Sequence, residues 1–181
     1  LRLATSADAR TRRKETLKAA TQIRTVTDAV RACDRWMELA QKDADALTKE
    51  RDLEEKAALM SAVGLAENDP VPPSLRTELK RLDEAQKSRA KRSLRDGLDR
   101  ILVDLLSLYR DVLTLQIDAQ TPLINAELTN QIAEAAQATS AAQTIEKLEA
   151  VAQARLRIDR NVRDLMVLES LGVSLRIKRV S

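Results

Sequence analysis

The sequence predicts an all-α fold, a helical bundle (a helical domain over 21–181) with a long antiparallel helical hairpin projecting from it over about 41–92. Three observations carry this. Ala, Leu, Arg, Lys, Glu, Asp and Gln dominate the 181 residues, while Gly, Pro and the aromatic types contribute only three glycines, four prolines, one Trp and one Tyr. That is a helix-forming vocabulary, poor in strand formers. Two long stretches of helical period flank a proline-rich segment at 64–74, and two long helices joined by a short tip lie antiparallel. The length suits one domain with a real core.

The first segment, Ser6 to about Ala20, reads as a short helix capped by Ser6 and crowded with Arg10, Arg12, Arg13 and Lys14. It has little apolar surface, so residues 1–20 are expected to belong to whatever precedes them. The chain opens Leu1-Arg2-Leu3 instead of with Met and is expected to be a piece of a longer protein.

Thr25 and Asp28 then form a capping box, in which a hydroxyl and a carboxylate three residues on satisfy free backbone N–H groups. Nothing interrupts the helix until Gly64, a length of roughly 55 Å. Val26, Val30, Cys33, Trp36, Met37, Ala40, Ala44 and Leu47 keep helical spacing, whereas 49–56 reads KERDLEEK. The far half should therefore protrude. Gly64, Asn68, Asp69, Pro70, Pro72 and Pro73 end the helix and make the tip of a hairpin.

Ser74 is expected to cap a second long helix running to about Ile117, with Leu75, Leu79, Leu82, Leu94, Leu98, Ile101, Leu105, Leu108, Val112 and Leu115 near one stripe. Within it, 101–117 is apolar at 11 of 17 positions, as befits a helix surrounded by neighbours. Its polar positions Arg100, Asp104, Ser107, Asp111 and Thr114 step by four, three, four and three. They leave one narrow strip expected to face water or a partner.

Thr121-Pro122 restarts the chain, and a short helix follows from Leu128 to about Ala138. Ser140 and Gln143 make a second capping box, opening a helix that breaks around Asp159-Arg160-Asn161. A final helix carries Val162, Leu165, Met166, Leu168 and Leu171 and is expected to stop at Gly172. The tail 173–181 alternates apolar and basic residues and has no assigned structure.

Charge and chemistry narrow the function. The 31 basic and 28 acidic residues are interspersed, for a net charge of +3, which argues weakly for nucleic acid. Without histidine there is no Ser-His-Asp or Cys-His site and no Glu-x-x-His metal pair. The glycines at 64, 97 and 172 build no phosphate-cradling loop. No catalytic, cofactor-binding or metal-ligating residue is assigned. A lone cysteine, Cys33, forms no internal disulfide and reads as a buried thiol, and no apolar run is long enough to span a membrane. A cytoplasmic location is expected.

Two constellations stand out. Lys87, Arg89, Lys91, Arg92 and Arg95 form the densest basic cluster, a contact for phosphates or an acidic partner if it is functional. It wraps round the helix beside Asp83, Glu84, Asp96 and Asp99, as a solvated face does, and no aromatic interleaves with it. Arg100, Asp104, Ser107, Arg110 and Asp111 are the candidate protein interface, with a single solvent-facing line as the alternative. Trp36 and Tyr109, the two aromatics, read as core.

The run EAQKSRAKRSLRDGLDRILVDLLSLYRDVL from Glu84 resembles the collar helix of δ′ subunits of bacterial DNA polymerase III clamp loaders. The resembling features are Gln86-Lys87, Arg95-Asp96, Asp99-Arg100, Asp104-Leu105 and Tyr109-Arg110-Asp111. Leu123-Ile124-Asn125 with Leu128, and Asn161-Val162 with Leu165 and Leu168-Glu169, are similar to the family's later helices. The resemblance runs from about Thr25 to Leu171. It implies a non-catalytic oligomerisation module of a five-subunit machine that places the sliding clamp on primed DNA. The partners would be the γ/τ motor and δ subunits, with DNA and clamp met through the parent complex. Residues 1–20 would then be the end of the lid domain, and the hairpin of about 41–92 is longer than in many members. The competing expectation is a helical nucleic-acid-binding module using 87–100.

Overall fold

A computed structural model describes residues 6–65, 70 and 72–177, with side chains from residue 9, and among the described residues there are six α-helices and one 3-10 turn. The helices are α1 (Ser6–Thr21), α2 (Val26–Ala62), α3 (Pro73–Gln116), α4 (Thr129–Ala138), α5 (Ala141–Asp159) and α6 (Asp164–Ser174). The 3-10 turn Ala126–Leu128 leads into α4. No strand occurs among the described residues, so the fold is an all-α helical bundle, as composition and period predict.

Local chemistry sets the helix ends. The Asp28 backbone N–H donates to Thr25 Oγ1 (3.1 Å), and the Thr25 N–H donates back to Asp28 Oδ2 (2.8 Å). These bonds hold the Asp28 carboxyl below its ordinary pKa, the Thr25 backbone bond contributing most. Ser140 and Gln143 close the same box at the start of α5. Gly64 takes φ +76°, where a side chain would be strained. The expected tip at 64–74 lies partly outside the described residues. Pro73, not Ser74, opens α3, at the position where a missing N–H costs least. Asn161, at φ +63°, ends the turn after α5.

Gly172 does not stop the last helix; α6 runs on to Ser174. A Cβ on Gly172 would stand 2.7 Å from Cys33 Sγ and 3.1 Å from the Ala29 carbonyl oxygen. Here glycine lets two helices touch backbone to backbone, a role that the sequence alone does not distinguish from a stop signal.

The chain divides into two compact units, residues 1–39 with 98–181, and residues 40–97. In the first unit, residues 98–116 of α3 form the centre. Leu98, Ile101, Leu102, Leu105, Leu108 and Val112 are buried, and at about 100° per residue they fall within an arc of about 120°, one apolar face of the helix. Each such side chain contributes about 1.5–3 kcal/mol of burial. Val103, Leu115 and Ile117 are exposed, so the apolar stretch is not covered all round. Trp36 is fully buried and donates its indole N–H to the Thr16 carbonyl (3.2 Å), joining α2 to α1. The Cys33 thiol donates to the Leu168 carbonyl (3.0 Å), joining α2 to α6, and burial pushes its pKa up to about 12. Val26 and Val30, which share the helical spacing of these residues, are exposed.

Residues 1–20 were set apart on their low apolar content. Yet Thr16, Leu17 and Ala20 are buried, and Arg13 of α1 also bonds to Ser107 and Asn125, a contribution that hydropathy does not register. From the tail, the Ile177 N–H donates to the Ile23 carbonyl (3.1 Å); 178–181 lie outside the described residues.

The second unit is an antiparallel pair, the later part of α2 against the earlier part of α3. Gly97 meets Ala40, where a Cβ would come within 3.0 Å of the carbonyl oxygen. Further along, Arg89 forks onto Asp52 (2.5 Å) and Glu55 (2.9 Å), and Gln86 donates to the Asp52 carbonyl (2.9 Å). Met60 and Leu75 are buried near the described ends of the pair.

Candidate functional site

The polar strip on α3 is the best organised group of polar side chains in the first unit. Asp104 and Asp111 face the protein, not water: Asp104 retains 7% of its exposure and Asp111 none. This corrects the expectation that the strip must face water or a partner. The α1 helix covers one end and the 122–125 segment the other.

Asp111 is the anchor. Its Oδ2 accepts the Asn125 backbone N–H (2.8 Å) and side-chain amide (2.8 Å), and its Oδ1 accepts the Ile124 N–H (3.1 Å) and Arg110 Nη1 (2.8 Å). Arg110 also donates to the Pro122 carbonyl (2.9 Å). Burial would push the Asp111 carboxyl up, but the bonds from Ile124, Arg110 and Asn125 together hold it below its ordinary value. A four-residue turn whose Pro122 and Ile124 are exposed is thereby fixed to the helix.

Asn125 extends the network to α1. Its Oδ1 accepts Arg13 Nε (3.0 Å) and Nη2 (2.7 Å), while Ser107 Oγ accepts Arg13 Nη2 (3.1 Å) and donates to the Asp104 carbonyl (2.7 Å). Arg12 and Arg13 each stand 3.7 Å from the Asp104 carboxylate. Burial raises the Asp104 pKa, and the arginines offset only part of this. At the neighbouring turn Arg155 of α5 grips Asp99 through two bonds of 2.7 and 3.2 Å. Arg100 and Arg110 are half-exposed and supply what surface the strip presents.

The basic cluster behaves differently. Lys87 pairs with Asp83 one turn back (2.6 Å), and Arg89 is committed to Asp52 and Glu55. Lys91 and Arg92 are exposed, and Arg95 is half-buried. The five therefore do not form one cationic surface. Tyr109, read as core, is buried; its hydroxyl is pushed above its ordinary pKa by burial. Among the described residues no three His, Cys, Asp or Glu side chains lie together as a metal-ion site, and no helix is long and apolar enough to cross a membrane.

Sequence reasoning missed Arg12, Arg13 and Asn125 as members of the strip's network. No local signal marks them, because each acts on a residue about 90 or more positions away, or across a turn. Comparison with protein-family models, with curated proteins and with solved structures gave no match.

Proposed function

We propose that the chain is the helical collar region of a δ′ subunit of a bacterial DNA polymerase III clamp loader. It would act in the cytoplasm as a non-catalytic oligomerisation module, taking one place in the ring beside the γ/τ motor and δ subunits. DNA and the sliding clamp would be met through the parent complex. One observation supports this reading most. Two separate stretches that resemble the family, Tyr109-Arg110-Asp111 and Leu123-Ile124-Asn125, meet in space through Asp111 and Asn125.

The test is co-elution of the purified chain with motor and δ subunits at moderate salt, with subunits counted by mass photometry. Incorporation at one copy per complex is the expected result. Failure to incorporate even when fused to a δ′ ATPase-type core would overturn the reading. DNA binding with a steep salt dependence would favour the nucleic-acid alternative, which has against it that Lys87 and Arg89 are already paired to carboxylates.

A further inference from the structure

Lys147 sits in the second turn of α5 and retains 6% of its exposure. Its ammonium stands 5.5 Å from the centroid of the Tyr109 ring. Among the described residues it makes neither a hydrogen bond nor an ion pair. A cation largely withdrawn from water and faced by a ring is repaid only in part for its desolvation when no counter-charge stands beside it. The amine responds: burial, then the positive charge of Arg24, pushes its pKa down to about 8. At neutral pH it is still mostly protonated, and so charged with no counter-charge among the described residues.

The surroundings are those of an anion site. The start of α5 and the end of α6 come together with the end of α4, and Thr139, Gln143, Glu146, Lys147, Ser174 and Arg176 line a cavity of about 20 Å³. Gln143 uses its Oε1 to accept the Ser140 N–H, which leaves its amide N–H groups to donate. Arg176 spends Nε on the Val173 carbonyl, and its outer nitrogens make no hydrogen bond among the described residues. Thr139 and Ser174 already donate their hydroxyls to Ala135 and Ser170. Glu146, at the exposed rim, opposes these cations with one negative charge. Two lining cations against one carboxylate favour a singly charged guest over a dianion.

We propose that this pocket binds the carboxylate group of a small organic acid, with Lys147 and Arg176 as its cations and Gln143 as a hydrogen-bond donor. The guest would complete the charge pair that the fold leaves open on Lys147. This inference is independent of the collar reading, since it rests on the chemistry of the cavity lining and not on any family resemblance.

The test is an NMR titration of the Lys147 side chain in the intact chain, with acetate exchanged for chloride at constant ionic strength. Saturable shifts are expected, together with a rise in the Lys147 pKa of about one unit, the size an opposite charge in contact produces. By linkage, acetate affinity should then fall up to about tenfold as pH rises through the amine's titration. Arg176→Gln should weaken saturation without moving the apo spectrum of α5. Equal shifts with chloride, or none with acetate, would overturn the proposal. Saturation by inorganic phosphate at lower concentration than acetate would overturn the carboxylate assignment.

Discussion

Asp111 Oδ2 accepts both the backbone N–H and the side-chain amide of Asn125, each at 2.8 Å. One carboxylate oxygen thus fixes the conformation of a turn and the direction of an amide whose other end receives Arg13. Removing the carboxylate should release all three.

Asp111→Ala leaves the Ile124 and Asn125 N–H groups and the Asn125 amide without their acceptor. The expected loss is about 3 kcal/mol of unfolding free energy. Hydrogen exchange should show 122–125 opening well below the global unfolding free energy, and an unchanged exchange pattern there would contradict the network.

The two aspartates of the strip should respond oppositely to acid. Asp111 has a depressed pKa, so its contribution is full above the unfolded value of about 3.9 and is lost as pH falls through the folded one. Asp104 has a raised pKa, so its ionisation disfavours the fold, and that penalty grows as pH rises from the unfolded value through the folded one. Denaturant melts between about pH 3 and 7 should show Asp111→Asn flattening the acid loss and Asp104→Asn steepening it. The reverse order would refute the burial argument.

Gly172→Ala should cost about 1–3 kcal/mol, because the new methyl meets Cys33 Sγ and the Ala29 carbonyl. Cys33→Ala in the same chain should recover part of that loss, and a double-mutant cycle with no coupling would show that the two sites do not touch.

Trp36→Phe removes the indole N–H that the Thr16 carbonyl accepts and should cost about 1–2 kcal/mol. As Trp36 is the one tryptophan, its buried emission should be blue-shifted in the native chain and move red on unfolding; a red-shifted native spectrum would contradict its burial.

Arg89→Ala severs the bonds to Asp52 and Glu55 that cross the antiparallel pair. Exposed as these groups are, a small loss is expected, falling with added salt. A salt-independent loss would mean that the arginine acts through its stem.

Helix existence was legible because it depends on neighbours in sequence. The boxes at Thr25/Asp28 and Ser140/Gln143, the break at Asn161 and the 3.6-residue period of Leu98 to Val112 all follow from interactions within a turn or two. Burial of Trp36, Cys33 and Tyr109 was legible for the same reason, since each shares a face with apolar neighbours.

What the tertiary structure alone decided depends on distant partners. The step of four and three from Arg100 to Thr114 marked a polar strip, but whether water, a partner or the chain itself covers it rests on Arg12, Arg13 and Asn125. Gly172 had the same sequence signature as a helix stop and proved to be a close crossing with Ala29 and Cys33. A periodic pattern specifies which face of a helix is special; only the approach of another helix, driven by burial and by the pairing of buried charges, specifies what that face meets.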